Sequence, residues 1–190
     1  MKKRLIVNAD GFGFTSGINK GIKETIENGI VTSISAMANM PYIEEVRMFP
    51  LKFEHVSVGI HFNIVVGRPL SPYDKVRSLI NKKGEFPGGK EILKRSLRGN
   101  LKYSEVFYEL DKQVQRLKDL GINPTHFSGY QTKHLCPQVF KAAIDVSQKW
   151  NINRMRTYNR LVIWKGNVFS KILFYYLGHP RHMLTHPYVS

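Results

Sequence analysis

The run Leu5-Ile6-Val7-Asn8-Ala9-Asp10-Gly11-Phe12-Gly13 limits what this chain can fold into more than any other stretch. Leu5 to Ala9 is almost wholly apolar, as a strand buried on both faces of a parallel sheet is, and it ends in a carboxylate followed by glycines. Thr15-Ser16 then offers a helix N-cap, Ile18, Ile22 and Ile26 recur down one face, and Gly29 supplies a stop. A buried strand followed at once by a helix carries Asp10 to the mouth of an α/β site. The glycines let the backbone turn sharply there and let a ligand come close.

The alternation continues. Ile30 to Met37 reads as a second strand, Tyr42 to Met48 as a short helix and Val56 to Val65 as a third strand, so β-α-β-α-β occupies the first 65 residues. That order predicts parallel strands joined by right-handed crossovers. Gly67 to Lys90, rich in glycine and proline, reads as a long excursion over one end of the sheet, of the kind that carries binding function. Leu101 to Leu120 is the clearest helix, with Phe107, Leu110, Val114 and Leu117 on one stripe and Gly121 as its end. Thr125 to Tyr130 reads as a strand, and Pro137 to Trp150 as a helix with Phe140, Ala143 and Ile144 inward. Ile152 to Thr157 and Met183 to Thr185 read as further strands; Asn167 to Leu177 is ambiguous. The expectation is one α/β domain over residues 1–190.

The chain carries 29 Lys and Arg against 14 Asp and Glu, a formal net charge of +15. Such a field can draw nucleic acid, anionic lipid or an acidic glycan, but no helix-turn-helix, zinc-finger or aromatic ribonucleoprotein pattern accompanies it. The expectation is a solvated basic surface without specific nucleic-acid binding, its sign favouring an anionic glycan over a neutral one. A single cysteine, Cys136, excludes an internal disulfide framework and suits a reducing compartment. The basic start is followed by too short an apolar run for a secretory signal, and no stretch approaches the roughly 18–20 apolar residues of a membrane span. A cytoplasmic location is expected.

Polar and ionisable groups recur where predicted strands end: Asp10, His61, His126 with His134, Arg154 or Arg156, and His186. Ligands bind beyond the carboxyl ends of the strands in parallel α/β folds, so these points imply one shared site. Four segments resemble, in order, motifs of the YdjC-like carbohydrate deacetylases, a family that includes the chitooligosaccharide deacetylases. They are Asn8-Ala9-Asp10-Gly11-Phe12-Gly13, Gly59-Ile60-His61-Phe62-Asn63, Thr125-His126 through His134, and Thr185-His186-Pro187. Gly17-Ile18-Asn19 and Gly29-Ile30-Val31-Thr32-Ser33 are similar to its opening segment. The resemblance implies a distorted, incomplete (β/α) barrel of mainly parallel strands, with a divalent metal, Mg or Zn, at their carboxyl ends. It also implies removal of acetyl groups from N-acetylated amino sugars. In that chemistry a metal-bound water attacks the amide carbonyl, a carboxylate takes the water's proton and an acid protonates the departing amine. Carried over residue by residue, the resemblance makes Asp10 the base and His61 a metal ligand. His186 becomes the acid or its orienting partner, and one of Arg154 and Arg156, with Arg156 favoured, the arginine that steers a carboxylate.

Two departures bear on the metal. Gly11 stands where the family has its second, metal-binding aspartate; in the third motif Ser128 and Tyr130 stand where it has an aspartate and a ligand histidine. Neutral Tyr is a poor ligand for a divalent ion. Side chains alternate along a strand, so His126, Ser128 and Tyr130 are expected on one face, where His126 can join His61 and Asp10 in a rebuilt metal site and Tyr130 can meet substrate. His134 is a further option. Two functions follow: hydrolysis of an acetylated oligosaccharide or glycan, or a catalytically degraded homologue that binds glycans or scaffolds a partner. Family members continue past the His-Pro motif. A barrel left open at Ser190 would expose an edge for a second copy of the chain to cover, unless the chain is a fragment or a shortened copy.

Overall fold

The computed structural model describes residues 5–156. Within them β1 (Asn8–Phe12), β2 (Ser33–Ala36), β3 (Ser57–Phe62) and β4 (Phe127–Gly129) form one open sheet in the order β1-β2-β3-β4, each pair parallel. Consecutive order without reversal is the winding of a β/α barrel rather than of a doubly wound sheet. Beyond β4, Met155 bridges to Phe127 in parallel and continues the progression; of the strand expected over 152–157, residues 152–156 are described and show this bridge.

The first strand starts later than its apolar run suggests. Leu5 and Ile6 are 79% and 76% exposed, and pairing begins at Asn8, which faces Ser33. Apolar content alone does not make a strand; the ladder does, and it enters only where the Val7 carbonyl accepts from Thr32 and Ser33. α1 (Ser16–Glu27) is capped as expected, Thr15 Oγ1 accepting from Ile18 N at 3.1 Å. Ile22 and Ile26 are buried, while Ile18 is half-exposed and the neighbouring Asn19 is buried in its stead. Asn19 Oδ1 accepts from Gly13 N at 2.6 Å and its Nδ2 donates to the Tyr42 carbonyl at 3.0 Å, which ties the turn after β1 to the next crossover. That crossover is a 3-10 turn, Ile43–Met48, running into α2 (Phe49–Lys52).

The excursion after β3 contains 3-10 turns at Tyr73–Lys75 and Arg77–Leu79 and leads into α3 (Gly89–Leu97). The sequence pattern did not announce α3, because Ile92 and Ser96 are its only buried residues. α4 (Tyr103–Asp119) buries Val106, Leu110, Val114 and Leu117 and, on the same face, Glu109 and Gln113. Glu109 accepts from the amides of Leu70 (3.2 Å) and Ser71 (3.0 Å) and from Gln113 Nε2 (2.8 Å). Gln113 also exchanges two hydrogen bonds with the Asn63 backbone, at 3.0 and 2.6 Å. A buried carboxyl thus pins the start of the excursion to α4, and burial pushes its pKa up.

α5 (Pro137–Lys149) packs on α4 and buries Val139, Ala142, Ala143 and Val146; the expected inward residues Phe140 and Ile144 are only partly buried. Ile34, Ala36, Val58, Ile60 and Phe127 belong to the hydrophobic core and form the apolar side of the sheet. Fully burying each of their larger side chains contributes about 1.5–3 kcal/mol. Among the described residues no helix is long and apolar enough to cross a membrane. The segments at 167–177 and 183–185, and His186, lie outside the described residues.

Candidate functional site

The opposite face of the sheet is polar. It presents Asn8 and Asp10 from β1, Ser33 and Ser35 from β2, His61 from β3 and Ser128 from β4. Asn8 Nδ2 donates to Asp10 Oδ1 at 2.9 Å and to Ser35 Oγ at 3.0 Å, and Ser33 Oγ donates to Asn8 Oδ1 at 2.6 Å. Ser128 Oγ donates to Ser35 Oγ at 3.1 Å and meets His61 Nδ1 at 2.7 Å. The Ser35 hydroxyl, beside the Asp10 carboxylate, helps to lower its pKa. Each serine has one proton to give. When Ser128 spends its proton on Ser35, the proton between Ser128 and His61 sits on Nδ1. In that arrangement His61 is the Nδ1–H tautomer with a lone pair on Nε2.

Arg156 Nη1 donates to Asp10 Oδ1 at 2.6 Å and Nη2 to Oδ2 at 2.7 Å. Such a fork gives geometric definition as well as charge. It also reports the shape of the sheet. Arg156 follows the bridge at Met155, four inter-strand steps from β1, about 19 Å if the sheet were flat. An aspartate and an arginine cannot span that, so the sheet curls around its polar face. Burial acts to raise the pKa of Asp10, but the hydrogen bonds from Arg156, helped by His61 and Ser35, outweigh it and hold the carboxyl below its ordinary value.

The remaining expected residues close around this line. His126 precedes β4, and its imidazole occupies the space that a Cβ on Gly59 would take, so glycine there lets the ring lie against β3. Its Nδ1 stands 3.0 Å from Thr125 Oγ1. Tyr130 opens the 3-10 turn Tyr130–Leu135; its ring meets His61 edge-on at 5.9 Å between centroids and stacks on Phe14 at 6.2 Å. Gln131 and Thr132 follow at φ 48° and 58°, left-handed values that cost a β-branched residue of the order of 1–3 kcal/mol. This reversal folds His134 back against Gly129, where it is 1% exposed and neither ring nitrogen meets hydrogen-bond geometry. Burial pulls His61 and His134 down to about 4 and lowers His126 as well, with the Arg156 charge adding to each. The site at neutral pH is one ionised carboxylate among neutral imidazoles.

The divalent ion that the resemblance implies can be tested against these donors. Gly11 is the bulged residue between Asp10 and Phe12, at φ 87°, with open space where a side chain would go. Arg156 takes both oxygens of Asp10, while the Nδ1 contacts of His61 and His126 leave their Nε2 atoms as the available donors. Among the described residues no three His, Cys, Asp or Glu side chains are placed to share one metal ion. Catalytic zinc takes three protein ligands, and magnesium needs a free carboxylate oxygen where both Asp10 oxygens are held by Arg156, so the described residues do not fit the ion.

The structure thus brings together Asp10, His61, His126, Tyr130 and Arg156; His186 lies outside the described residues. Asn8, Ser33 and Ser35 were missed as site residues. Their signal was the polar–apolar alternation of Ser33-Ile34-Ser35, which marks a strand with two unlike faces.

Comparison with known proteins extends the likeness. The family described as YdjC-like protein matches residues 4–181. A carbohydrate deacetylase of Geobacillus stearothermophilus is 38% identical over 152 residues, 80% of this chain and 59% of that protein. A chitooligosaccharide deacetylase of Serratia marcescens is 35% identical over 141 residues, 74% of this chain and 54% of that protein. The chain therefore spans between half and two thirds of the length of these relatives. Among solved structures, a protein of Enterococcus faecalis V583, provisionally named a cellobiose-phosphate cleavage protein, superposes with a TM-score of 0.75 at 24% identity, covering 85% of this chain and 61% of that one. That likeness shows the fold alone. With the family pattern running through residues 4–181, the chain belongs to the YdjC-like protein family.

Proposed function

We propose that the chain is a carbohydrate deacetylase acting on an N-acetylated amino sugar within an oligosaccharide, bound at the carboxyl ends of β1, β3 and β4. One observation carries the reading: a carboxylate kept ionised and aimed by an arginine fork shares a face with the neutral imidazoles of His61 and His126. An oriented, ionised carboxylate can take a proton from water as the water oxygen attacks the acetamide carbonyl. The C–N bond then breaks, acetate leaves, and the amine nitrogen takes a proton for which His186 is the candidate donor. Arg156 holds the two Asp10 oxygens in place. His61 offers its Nε2 lone pair to a sugar N–H or O–H, and Tyr130 with Phe14 gives aromatic surface on which a sugar face can pack. The names of the relatives support the substrate class. No step is routed through a divalent ion.

A second reading is a homologue that binds acetylated glycan without turning it over. The donor set favours it, since Gly11 and Tyr130 stand where the family's ligands would be. Calorimetric titration of the full chain with zinc and magnesium, paired with chitopentaose binding and acetate release, separates the two. Binding with release supports the deacetylase. Binding without release under either metal supports the second reading, and absence of sugar binding contradicts both.

A further inference from the structure

From Arg77 to Lys102 the chain places eight cations, Arg77, Lys82, Lys83, Lys90, Lys94, Arg95, Arg98 and Lys102, against two acids, Glu85 and Glu91. The structure concentrates part of this excess in one line. Lys90, Lys94 and Arg98 recur every fourth residue along α3 and its C-cap, and all three are exposed. Arg95 points elsewhere, bonded to Glu91 and to the carbonyls of Ser78 and Ile80. Lys94 meets Glu91 only at 3.9 Å, and among the described residues neither Lys90 nor Arg98 forms an ion pair.

The line begins at the wall of the site. The Gly88 amide donates to the Val65 carbonyl at 3.0 Å and the Phe86 amide to the Gly67 carbonyl at 2.9 Å, so the start of α3 is held at the carboxyl end of β3. The turn that opens with Tyr130 against His61 reaches Gly89 through Lys133, whose Cε lies 3.0 Å from the position of a Gly89 Cβ. From Lys90 to Arg98 the helix rises about 12 Å, too far for one small ligand to meet both the line and the site.

We propose that α3 reads the acidic groups of the glycan, so that the substrate class is an oligosaccharide in which N-acetylated sugars alternate with carboxylated ones. Charge complementarity along a track continuous with the site selects this occupant. The inference rests on the carbohydrate reading of the site. Its test compares, on the full chain, a hyaluronan hexasaccharide with chitohexaose, which keeps the acetamides but is neutral, at about 0.02 M and about 0.2 M salt, where the Debye length is long and short.

The acidic oligomer should bind at least about tenfold tighter at low salt, and the preference should shrink at high salt. Lys90→Gln with Lys94→Gln and Arg98→Gln should remove the preference and leave chitohexaose affinity unchanged. If thermal melting shows the triple variant unfolded, the pair Lys90→Gln and Lys94→Gln replaces it with a smaller loss. Equal affinity for the two sugars, or a preference indifferent to the substitutions, overturns the proposal while leaving the carbohydrate site. Salt-sensitive hyaluronan binding through α3 without chitohexaose binding does the reverse. Single-stranded DNA bound as tightly as hyaluronan and lost with the same substitutions assigns the line to nucleic acid and also overturns the proposal.

Discussion

Arg156 grips both carboxylate oxygens of Asp10, at 2.6 and 2.7 Å, although four strand positions separate them in the sheet. The pair fixes the carboxylate in space and lowers its pKa. Arg156→Lys keeps the charge but loses the fork. Asp10 should then titrate nearer its ordinary value, and because the base works only when ionised, the acid limb of activity should move to higher pH. A pH–rate profile of acetate release checks this; an unmoved limb with unchanged kcat would detach Arg156 from the chemistry.

Ser128 Oγ is the hydrogen-bond partner of His61 Nδ1. Ser128→Ala removes the acceptor at 2.7 Å from Nδ1 and frees the ring to adopt either tautomer. Nitrogen chemical shifts of the imidazole should report Nδ1–H in the parent chain and a mixed or Nε2–H state in the variant. An Nε2–H ring in the parent would reverse the direction assigned to the serine line.

His61 and His134, 4% and 1% exposed, are neutral in the fold with pKa values of about 4 against an ordinary 6.5. The unfolded chain binds more protons between those values, so stability falls as pH drops from 6.5 toward 4, at up to about 1.4 kcal/mol per pH unit for each ring. His134→Leu should flatten the slope of melting temperature against pH in this window. A slope unchanged in His134→Leu would mean that the ring is charged or solvated in the fold.

Glu109→Ala strips partners from the Leu70 and Ser71 amides and from Gln113 at a fully buried position. The loss should be about 2–4 kcal/mol by denaturant titration. Glu109→Gln, which can still accept one of these bonds, should cost less. A loss within 0.5 kcal/mol for Glu109→Ala, about the scatter of an ordinary surface change, would show that the excursion is held by other contacts.

The order of elements was legible in the sequence because helix caps and apolar periodicity are local. Thr15, Ile22, Ile26 and, on α4, Leu110, Val114 and Leu117 fell where their spacing put them, whereas Val106 is buried and Phe107 only partly so. Boundaries set by pairing were not legible, as Leu5 and Ile6 show, and neither was α3, whose polar surface hides its helix. At the site, the strand-end residues stood out one by one. Their joining did not, because the curl that brings Arg156 to Asp10 and the serines that link Asp10 to His61 belong to the register of four strands. Glu109 was passed over for a similar reason: a carboxylate within an amphipathic stripe reads as solvated until its partners from the excursion are seen.

Acetate release from N-acetylated oligosaccharides by the full chain and by Asp10→Asn decides whether Asp10 is the base of a deacetylase. The parent should release measurable acetate and Asp10→Asn should lose about 10²–10⁴-fold, the usual range for removing a general base, with sugar affinity retained. Equal release by both proteins, or release by neither with sugar still bound, would contradict the assignment of Asp10 as the base of a deacetylase.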